Sequence, residues 1–364
     1  MIRILHVVTI MDRGGLESMI MNYYRHIERD KIQFDFIVHR TKKGQYDDEI
    51  EQLGGKICRL PKLNPFSLSY HKALSDFFDA HAEYKIIHVH QDCLSSIILK
   101  EAWKHKIPVR IAHSHSSFQD KNIKYPIKLW YKQFIPKYAT HLFACGEMAG
   151  RWMFGGSRFE IINNAIDTQK YIYNENKRKD MRRRLKVSDD TLLIGHVGSF
   201  SPVKNHKFMI DVFADVVKKA NAKMLFVGDG ALRSETEDKL RSLKLTDRAI
   251  LVGVQPNVED YLQAMDVFLF PSLYEGVPVS LVEAQAAGLP CVISDNVPKE
   301  SIKTDLISTL PLDSPTEKWA ELLISASETE RKNTLLQIEE SGFDIKKNAS
   351  RLADFYLSQY NMIT

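Results

Sequence analysis

Short apolar runs rich in β-branched residues recur along the chain and alternate with stretches of helical periodicity. Buried strands that alternate with helices in this way predict βαβ units and a parallel, doubly wound sheet. The first half contains such runs at 3–9, 34–38, 56–60, 86–90, 109–113 and 140–145. The second half contains them at 192–198, 223–228, 249–253, 267–270 and 291–294. We therefore predict an α/β protein with two Rossmann-like domains, residues 1–167 and 168–345.

Residues 272–290 carry the most informative pattern of the second half. The apolar run before them predicts a strand end, and a glycine-containing turn leads to Pro278 in the first turn of a predicted helix. One carboxylate, Glu275, comes before that helix, and a second, Glu283, lies within it. The free amides and the dipole of a helix N-terminus favour an anion such as a diphosphate.

The spacing of the two carboxylates suits a nucleotide sugar. Eight residues span about 12 Å along a helix at about 1.5 Å per residue. A carboxylate accepts two hydroxyl bonds at once and so suits a sugar diol. The stretch predicts a donor-nucleotide site. The alternative is a Glu275 that only balances the helix dipole and a Glu283 that is solvated on an outer face.

Glu275-x7-Glu283 resembles the E-x7-E motif of the retaining glycosyltransferases of family 4, and the resemblance covers nearly the whole chain. It implies the GT-B fold, with two Rossmann-like domains facing a cleft and a C-terminal helix, 346–364, packed back on the first domain. It also implies that Glu275 sits by the transferred sugar and that Glu283 holds the ribose hydroxyls. The leaving charge would fall to Lys204 and to the helix amides near residues 276–279. Those residues are Gly276, Val277, Pro278 and Val279.

Two further loops of the second half match the family in part. The family has an arginine after the glycine of the first loop and a lysine five residues beyond it. Lys204 matches that lysine, whereas Ser199 stands where the arginine is expected. A charged hydrogen bond contributes roughly 1–3 kcal/mol. Without the arginine, we expect either weaker binding of the donor or a different basic residue that supplies the charge. Gly253 and Val254 match a loop that flanks the nucleotide base in the family.

The first half supplies candidates for the acceptor side. Gly14 and Gly15 lie between a strand and a helix, where glycine lets the backbone approach a ligand closely. The resemblance assigns them to a loop that lines the cleft opposite the donor, with Gly15 also near the donor. The alternative is a loop that needs glycine only for its turn. By the same resemblance, His113 lies near the donor sugar and phosphate, while His115 has an open structural or capping role.

His88 and His90 lie two residues apart on a predicted strand, so both side chains point to one face, as a metal site would need. No third ligand is apparent nearby in the sequence, and we predict a structural role for both. The chain has no Asp-x-Asp pair to bridge a metal and a diphosphate. The resemblance implies a metal-independent enzyme without a cofactor.

The segment 121–137 interleaves five lysines with aromatic and aliphatic residues. A basic, aromatic helix of this kind can lie on an anionic bilayer. The alternative is an ordinary surface helix whose aromatic side chains pack inward. A second basic run, 177–186, predicts a linker and a solvated helix.

Composition narrows the class of protein. Of 364 residues, 44% are apolar and 26% charged, as in soluble globular proteins. The N-terminus is typical of a first strand rather than of a signal peptide, and four scattered cysteines suggest buried thiols in a reducing cytoplasm. Residues 1–165 carry 24 Lys and Arg against 17 Asp and Glu, and the remainder carries 26 against 29. This asymmetry favours an acidic partner surface, but the chain has no nucleic-acid-binding motif.

These observations and the resemblance predict transfer of a hexose from a nucleotide diphosphate sugar to a hydroxyl of a glycan or lipid-linked acceptor. The resemblance favours UDP, and an undecaprenyl-linked acceptor would agree with the basic aromatic segment 121–137. The resemblance implies retention of configuration and a role in bacterial capsule or exopolysaccharide synthesis, at the inner face of the plasma membrane. Alternatives are a noncatalytic sugar-nucleotide binding protein and a GT-B epimerase or phosphorylase. A nicotinamide oxidoreductase is a further alternative, although neither half has the dinucleotide fingerprint.

Overall fold

The structure is a computed structural model that describes residues 1–116 and 123–363. The chain forms two compact units, Met1–Ala165 with Ile345–Thr364, and Ile166–Asp344. We call them unit 1 and unit 2. Each contains one parallel sheet flanked by helices. The prediction of two Rossmann-like domains with parallel sheets is confirmed.

Unit 1 is built from short apolar strands joined by helices. Its described strands are β1 (Ile2–Val8), β2 (Ile32–Val38), β3 (Ile57–Arg59), β4 (Ile86–Val89), β5 (Val109–Ser114), β6 (His141–Ala144) and β7 (Glu160–Ile161). Its helices before residue 166 are α1 (Gly15–His26), α2 (Asp47–Gln52), α3 (Leu68–Ala80), α4 (Ser95–Lys104), α5 (Tyr125–Lys132), α6 (Ile135–Tyr138) and α7 (Glu147–Phe154), with a 3-10 turn at Asp92–Leu94.

The sheet of unit 1 has the strand order β3-β2-β1-β4-β5-β6-β7, and its paired strands are parallel. The order reverses between β1 and β4, which pair with His6 opposite His88. In open α/β sheets a ligand binds beyond the carboxyl ends of the strands at such a reversal. The loops after β1 and β4 are therefore the expected binding edge of this unit.

Unit 2 repeats the plan. Its strands are β8 (Leu192–Val197), β9 (Ala222–Val227), β10 (Ala249–Leu251), β11 (Val267–Phe270), β12 (Cys291–Ser294) and β13 (Ile307–Leu310). Its helices are α8 (Thr168–Tyr171), α9 (Glu175–Arg184), α10 (His206–Val216), α11 (Arg233–Ser242), α12 (Val258–Ala264), α13 (Val279–Ala286), α14 (Thr316–Ser327) and α15 (Leu335–Glu340). Three 3-10 turns lie at Pro202–Lys204, Thr246–Arg248 and Lys299–Ser301.

The sheet of unit 2 has the order β10-β9-β8-β11-β12-β13, so its reversal lies between β8 and β11. Helix α13 leaves β11 through the loop that carries Glu275. Pro278 is the N-cap of this helix rather than a residue of its first turn. Gly288 ends it at φ +61°, a left-handed conformation that glycine adopts readily.

The last helix, α16 (Ile345–Asn361), belongs to unit 1 and packs against α1. Its buried face includes Ala349, Leu352 and Tyr356, which join the core formed by β1, β2 and α1. The Tyr356 ring meets Phe34 edge-on, with centroids 6.0 Å apart. Unit 1 is therefore assembled from both ends of the chain.

Two details differ from the sequence-based expectations. The segment 121–137 is not one helix, because α5 ends at Lys132 and α6 begins at Ile135; Lys121 lies outside the described residues. Helix α9 is not simply solvated. Arg182 is buried and bonds to Asp266 and to carbonyl oxygens of residues 188, 191 and 264. Among residues 1–116 and 123–363, no helix combines the length and apolar character needed to cross a bilayer.

Candidate active site

The loops after β8 and β11 meet at the strand reversal of unit 2. The amide of Leu273 donates to the carbonyl oxygen of Val203 at 2.8 Å, and the Asn205 side chain donates to the carbonyl of Pro271 at 3.3 Å. Asn205 adopts φ +60°, which turns the chain from the 3-10 turn into α10. These contacts bring Lys204 and Glu275 to the same edge of the sheet.

Lys204 and Glu275 form a close ion pair. Lys204 Nζ donates to Glu275 Oε1 at 2.6 Å, and only 15% and 12% of the two side chains is exposed. The ammonium also lies 4.6 Å from the centroid of the Phe270 ring, which favours the cation. A lysine held here is a point charge suited to a phosphate, and a carboxylate beside it can accept sugar hydroxyls.

The start of α13 lies immediately beyond this pair. The amides of Leu281 and Val282 bond to the carbonyl of Pro278, so the amides of Val279 and Ser280 precede the first intrahelical bonds. Such amides, together with the helix dipole, attract an anion. The preceding loop is fixed, because Val277 is buried and the carbonyl of residue 276 accepts a bond from Ser301 Oγ at 3.5 Å. The loop that carries Glu275 therefore leads directly into a helix end that favours an anion.

Glu283 lies one turn into α13 and accepts a hydrogen bond from the Tyr171 hydroxyl at 2.7 Å. Burial raises the pKa of Glu283 to about 7, against the opposing effect of the tyrosine bond. The alternative of a solvated Glu283 on an outer face is therefore wrong. Sequence reasoning missed Tyr171, which lies 112 positions away and gives no local signal.

Glycines bring the loops after β8, β9 and β10 close together. Gly228 adopts φ +140°, and a Cβ built there would overlap the carbonyl oxygen of Gly198. Its amide donates to the carbonyl of Gly253 at 2.8 Å, and Gly253 itself adopts φ +72°. Val254 follows with its side chain exposed. The Gly-x-Gly turn Gly228-Asp229-Gly230 thus allows the backbones of these loops to pack closely.

Ser199 is exposed and its hydroxyl donates to Ser201 Oγ at 3.2 Å, so it supplies no cation. Arg233 is a basic residue near the same loops. A Cβ at Gly253 would lie 3.7 Å from Arg233 Nη1, and the guanidinium pairs with Asp229 and with Glu237. Sequence reasoning missed Arg233; its position in the first turn of a helix after the Gly-x-Gly loop was the available signal.

The glycine pair of unit 1 forms the start of α1. Gly14 is the N-cap at φ −113°, and Gly15 begins the helix. Neither has the positive φ that would require glycine for the turn. A Cβ at Gly14 would collide with Glu17 Oε2, whereas a Cβ at Gly15 would meet nothing within 4 Å. Gly14 therefore makes room for the Glu17 side chain, and burial raises the pKa of the Glu17 carboxyl to about 7. The space next to Gly15 is open.

His113 belongs to a larger group that the sequence did not reveal. Five histidines at the ends of β1, β4 and β5 stack together with ring centroids 4.1–5.4 Å apart, and we call them the histidine cluster: His6, His88, His90, His113 and His115. Burial lowers the pKa of each, to about 3 for His6 and His115. All are therefore neutral near pH 7. The expectation that no third ligand lies near His88 and His90 is wrong.

Two family models match this chain. A family model described as Glycosyltransferase Family 4 matches residues 13–170, and one described as Glycosyl transferases group 1 matches residues 177–341. EpsF of Bacillus subtilis (strain 168) is 34% identical over 97% of this chain and 96% of its own length. The chain belongs to glycosyltransferase family 4.

Other relatives of this family 4 chain include capsule and lipid-linked sugar enzymes. The capsular polysaccharide biosynthesis glycosyltransferase CapH of Staphylococcus aureus is 26% identical over 99% of both chains. The Escherichia coli UDP-Gal:alpha-D-GlcNAc-diphosphoundecaprenol alpha-1,3-galactosyltransferase is 23% identical over 76% of each. The crystal structure of Anabaena HepE in complex with UDP-glucose has a TM-score of 0.79, at 17% identity, over 98% of this chain and 100% of its own. That likeness shows the GT-B fold.

Within unit 2 of this glycosyltransferase, the structure brings most of the predicted donor residues together. Lys204 touches Glu275, residues 276–279 lead into α13, and Glu283 lies one turn further along. Ser199 and residues 253–254 lie on the neighbouring loops. The predicted residues of unit 1 are Gly14, Gly15 and His113: the glycines follow β1, and His113 lies on β5.

Proposed function

We propose that this family 4 glycosyltransferase moves a hexose from a UDP-sugar to a hydroxyl of a glycan or undecaprenyl-linked acceptor, with retention, in capsule or exopolysaccharide synthesis. The observation that carries the proposal is the Lys204–Glu275 pair, held at 2.6 Å beside the N-terminus of α13. The pair and the N-terminus of α13 together provide a cation, a carboxylate and helix amides at one edge of the sheet. The relative CapH, which is named for capsular polysaccharide biosynthesis, supports the polysaccharide class.

Lys204 and the α13 amides would stabilise the diphosphate as it leaves. Charge that develops on the leaving group is stabilised best by donors already oriented toward it. The Lys204 ammonium donates to Glu275 Oε1. A diphosphate would take over that cation and leave Glu275 to accept sugar hydroxyls. Glu283 would bind the ribose diol, and we propose that no metal is needed. The fold of HepE, which binds UDP-glucose, supports UDP as the nucleotide.

The acceptor side is proposed from unit 1. Gly15 leaves open space at the start of α1, and His113 offers a ring nitrogen at the end of β5. The E. coli relative is named for a diphosphoundecaprenol-linked acceptor, which supports a lipid-linked glycan here. A lipid-linked acceptor requires that the enzyme reach a membrane surface.

Helix α5 and the two residues before it provide such a surface. Ile123, Ile127 and Trp130, spaced four and three residues apart, are 92%, 36% and 55% exposed. No residue of α5 is buried, so the alternative of aromatics packed inward does not hold for Trp130. Ile127 and Trp130, three residues apart, share one helix face, and Ile123 lies in the turn just before the helix. An exposed apolar surface with Lys124 beside it suits an anionic bilayer. We propose peripheral membrane contact through this face.

The test of the donor site is nucleotide binding in the presence of EDTA. We expect UDP and UDP-glucose to bind the full chain, measured by calorimetry, and GDP, ADP and NAD to bind more weakly. Lys204→Met should weaken binding most at low salt, since its contribution is electrostatic. The matched control is Lys207→Met, a lysine at the start of α10 whose side chain is mostly exposed. Equal binding by Lys204→Met and wild type would overturn the site.

Turnover is tested with a synthetic GlcNAc-diphosphoundecaprenol acceptor and a panel of UDP-hexoses. An α-configured product from an α-linked donor, seen by NMR, would establish retention; a β product would contradict it.

Membrane contact is tested by sedimentation with phosphatidylglycerol vesicles. Trp130→Ser should reduce binding, whereas Trp103→Ser, another exposed tryptophan of unit 1, should not. Equal vesicle binding by the two variants would contradict the proposed membrane contact through Trp130.

The exposed Ser199 favours a second candidate, a sugar-nucleotide binding protein without turnover. The family arginine is absent at this position, and Arg233 is already paired with Asp229 and Glu237. Such a protein would bind UDP-glucose but would release no UDP over many hours with any acceptor. Measurable UDP release that depends on Glu275 would exclude it.

A further inference from the structure

The loops that follow β1, β2 and β3 carry an excess of positive charge. Against one carboxylate, Asp12, they contain five cations: Arg13, Arg40, Lys42, Lys43 and Lys62. Lys42 lies 3.7 Å from Asp12, and Lys43 pairs with Asp48. The other three cations are exposed and have no carboxylate partner within residues 1–116 and 123–363. We call these three the basic row: Arg13, Arg40 and Lys62.

The three loops of the basic row lie side by side at the carboxyl ends of their strands. The end of β2 faces both neighbours, because Val38 pairs with Val8 on one side and with Arg59 on the other. The amide of Tyr46 donates to the carbonyl of Met11 at 2.9 Å, which packs the second loop on the first. Neighbouring strands lie about 4.8 Å apart, so the row spans roughly 10 Å. This length suits an extended anion such as a diphosphate.

Two exposed apolar side chains follow Lys62 on the third loop and at the start of α3. Phe66 is 70% exposed and Leu68 is 85% exposed. The loop is held in place, because the amide of Phe66 donates to Asn64 Oδ1 at 3.0 Å and His71 Nε2 donates to the carbonyl of Pro65 at 3.0 Å. Cations beside exposed apolar side chains fit a ligand in which an anionic group is joined to a hydrocarbon.

We propose that the basic row binds the diphosphate of a lipid-linked acceptor and that Phe66 and Leu68 contact the start of its hydrocarbon chain. This inference rests on the proposed function and specifies the acceptor of that reaction. Arginine binds phosphate oxygens through two parallel hydrogen bonds. Along the order β1, β2, β3, the edge offers open space at Gly15, then cations, then apolar side chains. That order matches sugar, diphosphate and hydrocarbon.

The acidic groups of this edge lie mainly on its other side. Asp92 follows β4, which pairs with β1 on the side away from β2. Burial raises the pKa of Asp92, and it raises the pKa of Glu17 to about 7. Both carboxyls therefore carry less negative charge than ordinary ones, and an anion meets the least repulsion beside β2 and β3.

The test compares two ligands by calorimetry with the full chain, with UDP present to occupy the donor site. The probe is the undecyl ester of GlcNAc-diphosphate, and the reference is undecyl GlcNAc, which has the same sugar and chain but no phosphate. We expect the diphosphate to bind at least about tenfold more tightly, and the difference should shrink as salt is added, because exposed charges are screened. Equal affinities would overturn the proposal.

Variants of the basic row test which residues bind the diphosphate. Arg13→Gln combined with Arg40→Gln should weaken binding of the probe about tenfold, because charged hydrogen bonds are lost. The matched control is Arg158→Gln, an exposed arginine before β7 and so at the opposite end of the strands. Near-ultraviolet circular dichroism checks that each variant folds. Equal affinity in the double variant and the control would overturn the basic row.

The apolar pair is tested by changing the chain of the ligand. Phe66→Ser combined with Leu68→Ser should weaken binding of the undecyl ester about tenfold and leave the methyl ester of GlcNAc-diphosphate unaffected, because only the undecyl chain has apolar area to bury. Leu336→Ser, which alters a 70% exposed leucine of unit 2, should affect neither ester. An equal loss for both esters would contradict the contact with the chain.

Two titrations separate this inference from the donor site. Binding of the undecyl ester should survive Lys204→Met, and a loss confined to that variant would place the probe at the donor site and overturn the basic row. UDP-glucose is titrated into the wild type in parallel. If UDP-glucose does not bind but the undecyl ester binds through the two arginines, the proposed donor fails and the basic row stands.

Discussion

The raised pKa of Glu283 predicts that donor affinity depends on pH. Burial places that pKa at about 7, against an ordinary value of 4.5. If the ionised carboxylate holds the ribose diol, the competent fraction is about one tenth at about pH 6 and about nine tenths at about pH 8. Apparent affinity scales with the competent fraction. We therefore expect UDP-glucose to bind about tenfold more tightly at the higher pH.

Isothermal titration calorimetry with UDP-glucose is the appropriate assay, because the phosphates of this diester do not titrate in that range. Glu283→Gln should bind more weakly with a flat pH profile. Tyr171→Phe should shift the profile to higher pH, since the tyrosine bond lowers the pKa of Glu283. Glu17→Gln is the matched control: its carboxyl also has a pKa of about 7, but it lies in unit 1.

If the pH dependence of UDP-glucose affinity is unchanged in Glu283→Gln, the reasoning is refuted. If Glu17→Gln flattens that dependence, the titrating group lies in unit 1.

The raised pKa of Glu283 also affects the stability of the fold. Folded Glu283 binds its proton more tightly than the unfolded chain does. Its stabilising contribution is therefore full below about pH 4.5 and is lost as the pH rises through about 7. The free energy of unfolding of Glu283→Gln, measured in urea, should not show this decrease as the pH rises.

Three further predictions concern unit 2. Ser199→Arg should strengthen UDP binding by roughly 1–3 kcal/mol in calorimetry, because it restores a charged hydrogen bond, and Ser201→Arg should not. Arg182→Met should lower the free energy of unfolding in urea by about 3–5 kcal/mol, because the carbonyl oxygens of residues 188, 191 and 264 lose a donor at about 1–3 kcal/mol each, although Asp266 keeps its pair with Arg178. Arg183→Met should change it little, because that side chain is 79% exposed, against 2% for Arg182. Gly228→Ala should cost more than about 1–2 kcal/mol in the same assay, since φ is +140° and a carbonyl oxygen occupies the Cβ position.

Each of these has a clear contrary result. Equal UDP affinity in the two serine variants would mean that position 199 does not face the diphosphate. Equal unfolding free energies for the two arginine variants would show that the buried bonds of residue 182 contribute nothing net. A stable Gly228→Ala protein would mean that the loops after β8 and β9 are free to separate.

Local pattern was enough for the buried strands of both sheets, because a buried parallel strand is a continuous apolar run. It missed the edge strands β7 and β13, whose residues are exposed or only partly buried. It was not enough where a polar residue depends on distant partners. Arg182 lies in a run of basic residues that resembles a solvated face, yet its acceptors come from residue 266 and from carbonyls of other loops. Arg182 reaches these acceptors only because α9 packs on α12, and the sequence of α9 alone does not show that contact.

The candidate site shows the same limit. The Glu275-x7-Glu283 spacing could be read directly, since both residues lie on one strand–loop–helix segment. His6 could not be added to His88 and His90 in that way. It faces His88 only through the β1–β4 register, which joins positions 82 residues apart in the sequence. Tyr171 likewise reaches Glu283 only through the packing of α8 on α13.

The position of α16 has a consequence for how the protein is made. Unit 2 is complete once Asp344 has been synthesised, whereas the core of unit 1 still lacks Ala349, Leu352 and Tyr356. At roughly 5–20 residues per second, the 179 residues from 166 to 344 delay completion of unit 1 by about 10–40 s. The half that is translated first therefore finishes last. Until then its apolar sheet face stays uncovered on the ribosome, where chaperones would meet it.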